Sequence, residues 1–82
     1  MGVLERKQRE KNLLKNQIIE TATKMFIKKG FEQTSLRKIA GEIEYSPATI
    51  YLYFENKDEL FSTIQENAFK KFYDKLNEFN FI

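Results

Sequence analysis

An all-α fold is predicted by three features of this sequence. Apolar residues recur at helical spacing through residues 14–26 and again through 36–43. The 28-residue stretch Thr34–Phe61, TSLRKIAGEIEYSPATIYLYFENKDELF, holds a short helix, a tight turn, a proline-started helix and a capped helix. No repeat, low-complexity segment or linker interrupts the chain. Together they predict a three-helix helix-turn-helix bundle of homeodomain-like type, followed by a long fourth helix. The expected divisions are a basic extension of helix one over residues 1–12, the helix-turn-helix unit over 13–68, and the end of helix four over 69–82.

Helix one can begin anywhere from about Leu4 to Leu13, since a polar front frays easily. Its apolar stripe is Leu14, Ile18, Ala22, Met25 and Phe26, widened by Leu13 and Ile19. Lys28 and Lys29 suit the negative C-terminal end, and Gly30 is placed to stop the helix. Phe31 is expected to fold back onto the core.

Helix two is expected to start at Thr34 as N-cap and to bury Leu36, Ile39, Ala40 and Ile43. Its first turn carries Arg37 and Lys38, where the positive end of the helix dipole prefers acids. A phosphate or a base edge would supply the missing negative partner. Gly41, at a cost of roughly 1 kcal/mol relative to Ala, is read as allowing close helix approach. Glu44 and Tyr45 make the turn.

Helix three is expected over residues 47–54, with Ser46 as N-cap and Pro47 at the first position, where its missing N–H costs nothing. At about 100° per residue, Ile50 and Phe54 share one side while Ala48, Thr49, Leu52 and Tyr53 cluster on the other. A short helix with a small residue, a hydroxyl, an aliphatic and a phenol facing outward suits a duplex groove better than an enzyme pocket. Asn56 can cap helix four, with Glu59 completing a variant capping box. Read alone, Asn56, Lys57, Asp58 and Glu59 fit plain capping at least as well as phosphate binding.

Helix four is expected from Lys57 to about Asn80, roughly 35 Å. Leu60, Phe61, Ile64 and Ala68 can close the core. Phe69, Phe72, Tyr73, Leu76, Phe79, Phe81 and Ile82 continue the apolar set over about half the helix circumference, implying a partner surface.

Composition narrows the function classes. With 41% hydrophobic and 15% aromatic residues the chain is expected to fold. It has no run of 18 apolar residues and no export signal at its N-terminus, and Arg6 stands where a myristoylation signal requires Ser or Thr. It has no cysteine for disulfides or thiolate metal sites, and no histidine. A cytoplasmic chain without cofactor or metal is the simplest expectation. The net charge of +2 conceals an asymmetry. Residues 1–38 carry ten Lys/Arg against four Glu, net +6; residues 39–82 carry four Lys/Arg against eight acids, net −4. A solvated face with pairs such as Glu5–Arg9 and Glu20–Lys24 accounts for the charge alone, but its position beside the helix-turn-helix suits a polyanion.

The elements Lys-Gly-Phe (29–31), T-S-L-R-K-I-A (34–40), Y-S-P-A-T-I-Y-L-Y-F (45–54) and N-K-D-E-L-F (56–61) resemble the DNA-binding domain of the tetracycline-repressor (TetR) family over roughly residues 10–70. The resemblance implies a one-component transcriptional regulator, usually a repressor, that binds a double-stranded DNA operator as a homodimer. It implies a larger helical C-terminal domain that dimerises and binds a small-molecule inducer, a part not contained in these 82 residues. By matching position, Arg37, Pro47, Ala48 and Thr49 are expected to read bases, with Leu52 and Tyr53 flanking them. Ser35, Tyr51 and Lys57 match phosphate-contacting positions, and Thr34, Lys38, Ser46 and Tyr53 are expected to join them. Three positions depart from the family pattern: Glu44 for a turn Gly, Ala48 for a frequent Gly, and Lys38 for a frequent acid.

Helix three offers no Arg, Lys, Asn or Gln for a bidentate base contact. Pro47, Ala48 and Leu52 can pack on thymine methyls, and Thr49 can hydrogen-bond. Arg37 is the one residue of the motif suited to a bidentate guanine contact, with phosphate binding its alternative role. An enzyme is disfavoured for want of a nucleophile–base pair or Gly-rich loop. A protein-interaction module using the aromatic face of helix four is the other reading carried forward. It leaves Arg37, Lys38 and the outward face of helix three without a role.

Overall fold

The structure, a computed structural model, describes residues 2–79. Among them are four helices and no strand: α1 (Val3–Lys29), α2 (Leu36–Glu42), α3 (Pro47–Tyr51) and α4 (Lys57–Phe79). The expectations for Asn80, Phe81 and Ile82 lie outside the described residues, as does that for the Phe79 side chain.

The core forms where α1, α2, α3 and the front of α4 converge. Ile18 and Ala22 from α1, Leu36, Ile39 and Ala40 from α2, Ile43, Ile50, Phe54 and Leu60 are all buried. Leu14, Ile19, Met25, Phe26, Tyr53 and Ile64 pack around them. Phe26, Phe31 and Phe61 close one end, with ring centroids 5.2–5.6 Å apart and two of the three pairs edge-to-face. Phe31 thus folds back as its sequence position suggests. Leu13 and Ala68, expected in the core, are exposed.

Both long helices outrun this core. The radius of gyration is 15.1 Å, against about 12 Å for a compact chain of this length. Residues 3–13 of α1 and 65–78 of α4 are exposed throughout. On α4 the exposed set includes Phe69, Phe72, Tyr73 and Leu76, with the Phe69 and Tyr73 rings stacked at 6.5 Å.

Local chemistry explains the boundaries. Gly30 takes φ 90° and its N–H bonds to Phe26 O at 2.9 Å, ending α1 in a backbone region that a side chain disfavours. The N-cap of α2 is Ser35, not Thr34: the Ser35 hydroxyl accepts from Lys38 N–H at 3.1 Å. Thr34 is buried and donates its hydroxyl to Gly30 O at 2.9 Å. Glu44 turns the chain at φ 62°, the one non-glycine residue with positive φ among those described. At α4 the box is offset by one residue, for Glu59 N–H donates to Asn56 Oδ1 while the Glu59 carboxylate accepts from Glu55 N–H. Gly41 does not mark a close approach, because a Cβ built there meets nothing within 4 Å.

Candidate nucleic-acid interface

The second helix of the helix-turn-helix is anchored from beneath and open above. Ser46 caps α3, its hydroxyl accepting from Thr49 N–H at 3.3 Å, and Pro47 enters with a preset φ. Ile50 and Phe54 hold the helix to the core, at 0% and 2% exposed. Ala48, Tyr51 and Leu52 face solvent, Leu52 at 83% exposed. An aliphatic side chain so uncovered on a short helix is suited to apolar contact with another surface.

Regular helix ends at Tyr51, three residues earlier than expected. Leu52 N–H bonds to Thr49 O and Tyr53 N–H to Ile50 O, both i to i−3, so the last turn tightens before Phe54 returns to Ile50 O at 3.0 Å. The tightening accompanies a correction to the helical wheel. Tyr53, assigned outward with Leu52, is half-buried and packs on the core.

The remaining candidates differ in how free they are. Arg37 is exposed in the first turn of α2, and no acid accompanies it there. Lys38 is exposed too, but its ammonium donates to Gln33 O at 2.9 Å, so a protein carbonyl supplies part of its negative partner. Ser35 and Ser46 use their hydroxyls as caps, and Ser46 Oγ also lies 3.0 Å from Thr49 Oγ1. Lys57 is half-buried, with its ammonium 2.7 Å from Phe31 O and 4.1 Å from the Phe31 ring centroid. Thr34 leaves the phosphate-facing set, because its buried hydroxyl is directed at the Gly30 carbonyl. Sequence reasoning missed the Lys57–Phe31 and Lys38–Gln33 links. The first joins residues 26 apart and has no local signal.

Among the described residues no cluster of His, Cys, Asp or Glu could hold a metal ion, and no helix is long and apolar enough to cross a membrane. The arrangement is that of a helix-turn-helix module presenting a short, uncharged helix, with Arg37 and Lys38 on α2 and Lys57 at the start of α4.

Comparison with known proteins places this module. Residues 18–64 match the bacterial regulatory proteins of the tetR family, and the chain belongs to that family. It is 33% identical over 63 residues to the biofilm operon icaADBC HTH-type negative transcriptional regulator IcaR of Staphylococcus epidermidis, covering 77% of this chain and 34% of that protein. It is 31% identical over 62 residues to the fatty acid metabolism regulator protein of Bacillus subtilis, covering 76% of this chain and 32% of that protein. A TetR/AcrR-family transcriptional regulator from Thermobifida fusca superimposes with a TM-score of 0.74 at 32% identity, over 77% of this chain and 34% of that one. A TetR-family regulator from Haemophilus influenzae superimposes with a TM-score of 0.69 at 36% identity, over the same shares. The chain thus spans about a third of the length of these relatives. The shared third is the helix-turn-helix, through which proteins of this family bind DNA.

Proposed function

We propose that this chain is the DNA-reading headpiece of a transcriptional repressor, with α3 in the major groove of a duplex operator. The observation that carries the reading is the exposed Ala48–Tyr51–Leu52 surface of a helix whose other side is locked by Ile50 and Phe54. Pro47, Ala48 and Leu52 contact thymine methyls, Thr49 adds a hydroxyl, and Arg37 reads a guanine from the start of α2. Ser35, Lys38, Ser46, Tyr51, Tyr53 and Lys57 hold the sugar-phosphate backbone, fixing orientation without reading sequence.

Repression is supported by the negative regulator from Staphylococcus epidermidis among the similar proteins. In the full-length regulator two headpieces act as a homodimer on paired half-sites, each raising the effective concentration of the other. The 13–68 unit binds DNA, residues 69–82 lead toward a C-terminal domain, and a small-molecule inducer belongs to that domain.

The test is a titration of duplexes of random sequence across a salt series. Affinity should fall steeply with salt, in proportion to the phosphates engaged. A chain that binds no duplex at low salt contradicts the proposal.

A further inference from the structure

The front of α1 turns the core-facing side of a helix into a cationic one. At about 100° per residue, Lys7, Lys11 and Leu14 share an arc of roughly 80° with the buried Ile18 and Ala22. Where α1 runs past the core, this side meets the two ends of α3. Lys7, Lys11, Leu14 and Gln17 line one groove with Tyr45, the residue before the Ser46 cap, and Tyr53, just beyond the end of α3. Lys15 does not line this groove; its ammonium lies 6.0 Å from the centre of the Phe54 ring. Glu10 is the one acid on the groove, so two ammonium groups face a single carboxylate there. Lys7, Lys11 and Lys15 precede residues 18–64, the part that matches the family.

We propose that this groove is a second phosphate-binding site, which grips the backbone of a DNA duplex beyond the bases read by α3. The inference rests on the DNA-reading role of α3. A helix lying in a major groove about 12 Å wide has a phosphate strand on either side of it. A groove walled by the residues that bracket α3 lies next to one of those strands. Ammonium groups and tyrosine hydroxyls are donors that phosphate oxygens accept. Tyr45 is 45% exposed despite its aromatic ring.

The experiment compares the full chain with the Lys7→Gln/Lys11→Gln double variant and with Lys28→Gln/Lys29→Gln, the same charge change at the far end of α1. Each is titrated with random-sequence duplexes over a salt series. The groove variant should lose roughly two units of the slope of log K against log salt, about 0.9 per phosphate no longer neutralised. The far-end variant should lose well under one unit. The loss should shrink on duplexes too short to extend past α3. Circular dichroism checks that α1 stays helical, and Tyr45→Ala probes the other wall of the groove independently of α1. If the wild type binds with steep salt dependence while the groove and far-end variants behave alike, and Tyr45→Ala has no effect, the second site is wrong and the α3 reading stands. If the wild type binds no duplex, both fall together.

Discussion

The ammonium group of Lys57 donates to the Phe31 carbonyl at 2.7 Å and lies 4.1 Å from the centre of the Phe31 ring. One side chain at the start of α4 therefore pins the segment that leaves α1. The same ammonium group retains two further N–H donors, so pinning and phosphate binding are compatible.

Replacing Lys57 should accordingly have two separable effects. Lys57→Ala removes a charge-assisted hydrogen bond and a cation–π contact, and the unfolding free energy should fall by about 1–3 kcal/mol. The salt slope of duplex binding should also drop by about one unit. Chemical denaturation reads the first and anisotropy titration the second. An unchanged slope in a still-folded variant assigns Lys57 to structure alone.

Thr34 and Ser35 should respond differently although they are neighbours. Ser35→Ala removes the α2 cap, at about 1 kcal/mol. Thr34→Val strips the donor from the Gly30 carbonyl, at about 1–3 kcal/mol. Thr34→Val should leave the salt slope unchanged, because its hydroxyl is buried against the Gly30 carbonyl. A reduced slope at full helicity would return Thr34 to the DNA surface.

Two backbone positions should tolerate stabilising changes. Gly41 lies within α2 with open space where a Cβ would go, so Gly41→Ala should add about 0.5–1 kcal/mol. Glu44 holds φ 62°, and Glu44→Gly should relieve strain of order 1 kcal/mol. Thermal melts should rise for both. A lower melting temperature for Gly41→Ala would contradict the open space found where its Cβ would go.

Periodicity carried the helices and most of the core, because burying one side of a helix imposes a spacing that residues such as Ile18, Ala22, Ile39 and Ala40 display openly. It failed where two residues offered the same chemistry. Thr34 and Ser35 can both cap a helix, and only the approach of the Gly30 carbonyl decides between them. The wheel assigned Tyr53 outward because it assumed ideal helix through Phe54, whereas the i to i−3 bonds after Ile50 tighten the turn. Gly41 differs for another reason: glycine permits a close approach without requiring one, and none is made there. The groove shared by Lys7, Lys11, Tyr45 and Tyr53 joins distant parts of the chain and appears only once α1 is laid against α3.

Sequence readout should depend on Arg37. Site selection from random duplexes should yield one strongly preferred G·C pair beside a short T/A-rich block. Arg37→Ala should relax the preference at that pair, with a loss of roughly 1–3 kcal/mol on the best site and much less on random DNA. The same preferred sequence from both proteins would assign Arg37 to phosphate instead.

The most direct test of the central claim is amide chemical-shift mapping of the chain as a short duplex is added. Binding through α3 predicts shifts over residues 35–38, 46 and 48–53, with Lys57, while the exposed aromatic face of α4 at Phe69, Phe72, Tyr73 and Leu76 stays still. Shifts confined to that α4 face, with α3 unmoved, would contradict the account.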